Sequence, residues 1–145
     1  MTAMSDSETR IALVCVQNAG RSQMATAYAE REREARDLSD VVVIHSGGTH
    51  PADAVHDVVR EAMAEVGIDL SDCEPRAIAT ETLESSDYVA TMGCSTLELE
   101  AETDVRDWDL PDPHGEALET VHEIREDVKA RVEALFDEIE AERTD

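Results

Sequence analysis

Basic residues are scarce in this chain, and their scarcity restricts the partners it can have. Lys and Arg together number 12 among 145 residues, Asp and Glu number 35, and the formal net charge is −23. A field of this sign repels nucleic acid and anionic membranes, so neither is expected as a partner. The acidic residues are spread along the whole chain, which favours a solvated surface adapted to a salt-rich, halophilic cytoplasm over an acidic partner-binding surface. Molar salt, with a Debye length of about 3 Å, would screen their repulsion.

Aromatic residues and cysteines are also few. Aromatics make up 3% of the chain, so the core must be built from aliphatic side chains and Met. Three cysteines, Cys15, Cys73 and Cys94, form no Cys-x-x-Cys pair and no even framework, which argues against a secreted disulfide scaffold. The five histidines show no metal-ligand spacing with them, so no metal site is predicted. Because no signal peptide or apolar run of membrane length is visible, we expect a cytoplasmic protein with reduced thiols.

Apolar patterning predicts one α/β domain over residues 10–145, preceded by a disordered polar extension over residues 1–9. The segment RIALVCV (10–16) is typical of a strand that is buried on both faces. Further strands are predicted over 41–46, 86–92 and 105–108, and helices over 22–37, 53–66 (with Gly67 as its C-cap glycine), 79–84, 96–101 and from Leu118 to Ile139. Strands that alternate with helices imply a three-layer sandwich, a four-stranded parallel sheet with helices on both faces.

The segment CVQNAGRS (15–22) connects the first predicted strand to the first helix. The first amides of a helix have no internal partners, and the helix dipole adds positive potential, so this connection is a candidate anion site. It also lies at the carboxyl end of a strand, where parallel sheets bind their ligands. We predict that an oxyanion-binding loop is formed by Val16, Gln17, Asn18, Ala19, Gly20, Arg21 and Ser22.

Several side chains of this loop are suited to binding an oxyanion or to activating the cysteine. Arg21 presents a bidentate fork to a tetrahedral oxyanion, and the same positive potential favours a thiolate at Cys15. Ser22 can donate a hydrogen bond to that sulfur, Asn18 can hold the shape of the loop, and Gly20 permits a close or left-handed backbone. Cys15 is therefore the predicted nucleophile toward phosphate or arsenate. The alternative is an inert core cysteine beside a surface arginine.

The segment CVQNAGRSQMA resembles the P-loop of the low-molecular-weight protein tyrosine phosphatase superfamily. Its SQMA end, with TMGC (91–94) and WDLPDPHG (108–115), resembles the arsenate reductase branch, and the likeness covers roughly residues 10 to 140. It implies a low-molecular-weight phosphatase-like fold in which Asp112, in an Asp-Pro pair, is the general acid that protonates the leaving oxygen. A turn or helix-cap role is the alternative for Asp112, and Asp109, which no proline follows, is a neighbouring candidate for the acid. Residues 46–49 resemble the second-strand turn of the family, which supports the P-loop.

Cys94 distinguishes a reductase from a phosphatase, since only a reductase needs a second thiol. Cys94 follows the third predicted strand as Cys15 ends the first, and the resemblance implies that these strands are neighbours. After Cys15 attacks arsenate, Cys94 could attack the Cys15 sulfur, release arsenite and leave a disulfide. A small buried residue without a redox role is the alternative for Cys94.

The sequence departs from the thioredoxin-coupled members of this branch, which commonly carry a third redox cysteine a few residues beyond the second. Glu98 stands near that place, and Cys73 is a less favoured substitute. We therefore expect that the internal relay of three thiols is absent. No bound cofactor is expected. The expected external reductant is a thioredoxin, a glutaredoxin-like protein or a low-molecular-weight thiol, acting on a Cys15–Cys94 disulfide.

The predicted function is thiol-dependent reduction of arsenate to arsenite through a Cys15 adduct that Cys94 resolves. The alternative enzyme is a low-molecular-weight protein tyrosine phosphatase or small phosphomonoesterase that works through a phosphocysteine. Phosphatases of the superfamily usually place tyrosine beside the Asp-Pro pair, whereas His114 and Gly115 stand there in this chain. A non-enzymatic oxyanion sensor or thiol-regulated binding module is a third hypothesis. In each case the expected ligand is a small oxyanion, arsenate or a phosphate ester.

Overall fold

The described residues of the computed structural model contain four strands and four helices. These residues are 8–15, 18–48, 51–71, 73–92, 104–108, 110 and 116–144. In chain order the elements are β1 (Thr9–Cys15), α1 (Arg21–Ala35), β2 (Val42–Gly48), α2 (Asp57–Ala64), α3 (Thr80–Glu84), β3 (Tyr88–Met92), β4 (Asp104–Asp107) and α4 (Leu118–Thr144). The predicted helix over 96–101 lies outside the described residues.

The four strands form one parallel sheet in the order β2-β1-β3-β4. β1 is an inner strand, and at its carboxyl end Cys15 is paired with Gly48 of β2 and with Met92 of β3. Apolar side chains cover both faces of the sheet, so the predicted four-stranded parallel α/β sandwich is confirmed. The carboxyl ends of three strands therefore meet at one edge, where such sheets bind ligands.

β1 is buried on both faces because its side chains alternate between two apolar layers. Leu13 packs in the larger cluster, with residues of α1, α2 and α4, whereas Val14 packs with Leu83 and Val89 on the opposite face. Burial of an aliphatic side chain of this size contributes roughly 1.5–3 kcal/mol. The continuous apolar run of β1 therefore anchors the loop that follows it.

β1 begins one residue earlier than predicted. The backbone N–H of Thr9, which the prediction assigned to the extension, donates to the carbonyl of Val41 at 2.8 Å, and Thr9 pairs with Val42. A parallel ladder thus includes a residue that polarity alone placed outside the domain. Residues 1–7 lie outside the described part of the chain, so the rest of that assignment stays a prediction.

α2 is shorter than the predicted 53–66, because the residues before it contact the loop after β1. The N-cap of α2, His56, has an extended backbone, and its N–H donates to the carbonyl of Ala19 at 2.9 Å. In a helix that began at residue 53, this N–H would instead donate to the carbonyl four residues earlier. After α2, Gly67 has a φ of +81°, the left-handed conformation expected of the predicted C-cap glycine.

The end of β2 lies in close contact with residues 76–78. The backbone N–H of Gly48 donates to the carbonyl of Arg76 at 2.8 Å, and Gly48 forms a parallel bridge with Ala77. A Cβ added to Gly47 would lie 2.5 Å from the Cβ of Ile78, so the contact requires glycine. This contact brings the backbone of Arg76 next to the loop after β1.

α4 packs along α1 and fixes the helix that starts at the loop. Val132 and Phe136 of α4 are fully buried. Arg36, directly after α1, pairs with Asp137 and Glu140 of α4. No helix in the described ranges combines the length and the apolar character needed to cross a bilayer.

Candidate active site

The sulfur of Cys15 lies where β1 ends and the loop turns into α1. Cys15 is 2% exposed. The hydroxyl oxygen of Ser22 lies 2.9 Å from its Sγ, and the backbone N–H of Asn18 donates to the same sulfur at 3.2 Å. Two donors and the start of a helix therefore surround the sulfur, an environment that stabilises negative charge on it.

The direction of the hydrogen bond between Ser22 and Cys15 follows from the side chain of Asn18. The backbone N–H of Arg76, which can only donate, lies 3.0 Å from Oδ1 of Asn18. The other end of the amide, Nδ2, then donates to the hydroxyls of Ser22 at 2.6 Å and of Ser46 at 2.9 Å. Because Ser22 accepts from Asn18, its own hydroxyl proton is available to the sulfur.

Asn18 is the residue with the left-handed backbone in this part of the loop. Its φ is +50° and it is fully buried. Gly20, for which the sequence permits a left-handed backbone, does not adopt one: its φ is −144°, and it is the N-cap of α1. Asparagine tolerates the left-handed region better than most residues, because its short side chain bonds locally. The turn thus uses Asn18 both for its backbone conformation and for its amide.

Arg21 is buried and has few partners among the described residues. It is 8% exposed, and its Nη1 donates to the carbonyl of Leu110 at 3.0 Å. Within that part of the chain its Nε has no hydrogen-bond partner and no carboxylate pairs with its guanidinium. A buried cation is costly unless a negative charge compensates it. The loop is therefore suited to an anion beside Arg21.

Gln23 contacts the loop although the sequence did not mark it as a site residue. Its Nε2 lies 2.9 Å from the carbonyl oxygen of Asn18 and 3.2 Å from Oδ1 of Asn18. Other contacts missed at the sequence level use backbone groups of His56, Arg76 and Leu110. Only Gln23 left a signal, because it belongs to the SQMA segment that resembles the arsenate reductase branch. Ser46, part of the turn expected to support the loop, does bond to Asn18.

The structure brings together one part of the predicted site. The described members of the loop are Cys15, Asn18, Ala19, Gly20, Arg21 and Ser22. Four predicted site residues, Val16, Gln17, Cys94 and Asp112, lie outside the described residues, so their roles stay predictions.

A cavity of about 540 Å³ is lined in part by Asn18. Its described lining includes Asn18, Gln23, Arg76 and the half-buried thiol of Cys73, but not Cys15 or Arg21. The hydrogen bonds around the sulfur, not the volume of this cavity, identify the candidate active site. Among the described residues, no three His, Cys, Asp or Glu side chains are grouped to hold a metal ion.

A parallel sheet whose strand β1 ends in cysteine, followed by a buried arginine at a helix start, is an arrangement suited to holding an anion beside a thiol. A model of the family described as "Low molecular weight phosphotyrosine protein phosphatase" matches residues 10–145. The chain belongs to this family.

Proteins similar to this chain carry a more specific name. A "Putative arsenate reductase" from Halobacterium salinarum is 64% identical over 135 residues, which cover 92% of this chain and 95% of that protein. A "Glutaredoxin arsenate reductase" from Synechocystis sp. is 31% identical over 134 residues, covering 90% and 98%. The solved thioredoxin-dependent arsenate reductase of Corynebacterium glutamicum matches with a TM-score of 0.78 at 29% identity, covering 97% of this chain and 68% of that chain.

These comparisons confirm the resemblance predicted from the P-loop segment, including the arsenate reductase branch. The source of the first relative, Halobacterium salinarum, supports the halophilic interpretation of the acidic composition.

Proposed function

We propose that this protein reduces arsenate to arsenite with Cys15 as the nucleophile. One observation carries the proposal: the same loop holds a sulfur under two hydrogen-bond donors and a buried Arg21 that pairs with no described carboxylate. A nucleophilic sulfur beside a cation suits covalent attack on a tetrahedral oxyanion. The relatives named arsenate reductases support this activity over the phosphatase alternative.

In the first step, arsenate is held by the loop amides and by the guanidinium of Arg21. The Cys15 thiolate attacks arsenic, so a sulfur–arsenic bond forms and one arsenic–oxygen bond breaks. The departing hydroxyl takes a proton from a protonated Asp112 and leaves as water. Arsenic keeps its +5 oxidation state in this adduct.

In the second step, the thiolate of Cys94 attacks the sulfur of Cys15. A sulfur–sulfur bond forms, the sulfur–arsenic bond breaks, and its electron pair moves to arsenic. Arsenic is thereby reduced from +5 to +3 and leaves as arsenite. The two thiols supply the two electrons and remain as a Cys15–Cys94 disulfide.

An external thiol then reduces this disulfide and closes the cycle. Among the relatives, one structure is named thioredoxin-dependent and one protein is named a glutaredoxin arsenate reductase, which supports a thiol protein as the partner. Because no third cysteine follows Cys94 in the sequence, we propose that the partner acts directly on the Cys15–Cys94 bond. A low-molecular-weight thiol is the alternative reductant.

Two assays on the same set of variants test the proposed function. Arsenite release with added dithiothreitol is measured beside hydrolysis of p-nitrophenyl phosphate. We expect Cys15→Ser to abolish both reactions and Cys94→Ser to abolish arsenite release only, since water can resolve a phosphocysteine without a second thiol. Cys73→Ser is the matched control and is expected to retain both activities.

Arsenite release that survives in Cys94→Ser would contradict the second step. Release that survives in Cys15→Ser would contradict the nucleophile itself.

A further inference from the structure

Gln23 is the third residue of α1, and its side chain turns back to the loop that precedes the helix. The residue is 7% exposed. Besides its two contacts to Asn18, its Nε2 lies 3.5 Å from the carbonyl oxygen of Glu74. A glutamine at this helix position commonly accepts a bond from the N-cap backbone. Here its amide donates to Asn18 instead.

Gln23 contacts Asn18, and Asn18 orients the Ser22 hydroxyl that donates to the Cys15 sulfur. Oδ1 of Asn18 accepts from Gln23 and from the backbone N–H of Arg76. With Oδ1 held between these donors, Nδ2 faces Ser22, and the proton of Ser22 faces the Cys15 sulfur. The orientation of one buried amide thus decides whether the sulfur receives a hydrogen bond from a hydroxyl.

Removing the Gln23 donor would loosen this orientation. Oδ1 of Asn18 would keep one donor, and the Asn18 carbonyl would lose the bond that Gln23 gives it. With the Arg76 N–H as its single remaining donor, Oδ1 is held less firmly, and the amide is freer to rotate. A rotation that brings Oδ1 toward Ser22 would draw the hydroxyl proton to Asn18 instead of the sulfur.

We propose that Gln23 is a positioning residue for the nucleophile, which aims the Ser22 hydroxyl at the Cys15 sulfur by holding the Asn18 amide. The proposal rests on the proposed function only in that Cys15 is the reactive thiol. Gln23 need not touch the substrate.

Alkylation by iodoacetamide tests this role without arsenate. In a Cys73→Ser, Cys94→Ser background Cys15 is the only thiol, and its rate is followed from pH 5 to pH 10. We expect Gln23→Met, which keeps the size of the side chain and removes the donor, to lower the rate at pH 7 by about tenfold and to move the midpoint upward. In Gln23→Glu a carboxylate oxygen would face the two oxygens of Asn18, and we expect this variant to shift the pH profile upward at least as far.

Thr82→Val is the matched control, because Thr82 lines the same cavity and makes no side-chain contact to Asn18. It is expected to keep the parental profile. A double-variant cycle with Ser22→Ala separates positioning from packing: once the hydroxyl is gone, Gln23→Met should move the midpoint no further. Superimposable profiles for Gln23→Met and Thr82→Val, with only a lower Tm for the former, would overturn the proposal.

A measurement on the unsubstituted protein applies even where a variant fails to fold. The chain has three side-chain amides, those of Gln17, Asn18 and Gln23, so their NMR signals are readily assigned. We expect the Asn18 and Gln23 amide signals to titrate with the midpoint of Cys15 alkylation. Flat signals across that range would overturn the proposal. Normal titration in a protein that releases no arsenite would support it while contradicting the proposed function.

Discussion

Arg21 and Arg36 stand at opposite ends of α1 and have opposite surroundings. Arg36 pairs with three carboxylates, those of Glu32, Asp137 and Glu140. Arg21 is more buried, yet within the described residues it bonds only to a backbone carbonyl. The two ends of one helix thus hold an arginine paired with carboxylates of the protein and an arginine for which no described carboxylate is a partner, and the proposed function assigns the second to the oxyanion.

The largest expected effect comes from Arg21→Lys. Lysine keeps the charge but loses the planar fork that binds an oxyanion in bidentate fashion. We expect kcat/KM for arsenate to fall about 10²–10³-fold, the cost typical of losing one oxyanion donor. Arg36→Lys, the same change at the paired arginine, is expected to leave kcat/KM unchanged. Equal losses in the two variants would remove the distinction between them.

Asn18→Ala is expected to have the next largest effect, because it removes the amide that orients the Ser22 hydroxyl toward Cys15 and leaves Arg21 in place. We expect Cys15 alkylation at pH 7 to slow about tenfold and the free energy of unfolding to fall by about 3 kcal/mol.

Asp37→Ala is the matched control for Asn18→Ala. Asp37 also has a left-handed backbone, with a φ of +57°, but it is exposed. Denaturant unfolding should show a loss of about 1 kcal/mol for this variant, with unchanged alkylation. Similar losses of stability at both sites would mean that the left-handed backbone alone, and not the amide contacts, accounts for the contribution of Asn18 to stability.

Lowering the salt concentration tests the surface charges that surround the paired arginines. From 1 M to 0.1 M salt the Debye length grows from about 3 Å to about 10 Å, so repulsion among the acidic side chains increases. We expect the Tm to fall by about 5 °C or more. A Tm that does not change over this range would contradict the salt-adapted surface.

Arg36→Ala is expected to have the smallest effect. Two of the three carboxylates that pair with Arg36 are exposed, so these ion pairs contribute little to stability, and the contact of Arg36 with the ring of Phe136 adds a modest contribution. We expect the free energy of unfolding to fall by about 1 kcal/mol and arsenite release to stay at the parental rate. A large loss of activity would show that the contact between α1 and α4 affects the geometry of the loop after β1.

The sequence was sufficient to predict what local pattern and chemistry determine. The apolar run of β1, the position of Cys15 at its end and the helix that follows at Arg21 all leave signals within a few residues. The parallel pairing of all four strands is the arrangement that alternating strands and helices predict.

The contacts that complete the loop were not predictable from local pattern. Arg76 and Leu110 contribute backbone atoms, which leave no trace in residue identity, across separations of 58 and 89 residues. The start of α2 was predicted too early for a related reason. Val55 has the spacing of a helical apolar face and is buried, but the residues around it are held by the bond from His56 to Ala19.

Mass spectrometry after a single turnover tests the roles of Cys15 and Cys94 most directly. The reduced protein is mixed with arsenate without any reductant, alkylated and digested. We predict about one equivalent of arsenite, a loss of two hydrogen masses and a disulfide-linked peptide pair that contains Cys15 and Cys94. Arsenite formed while Cys15 stays fully alkylatable, or a Cys73–Cys94 product in its place, would contradict the mechanism.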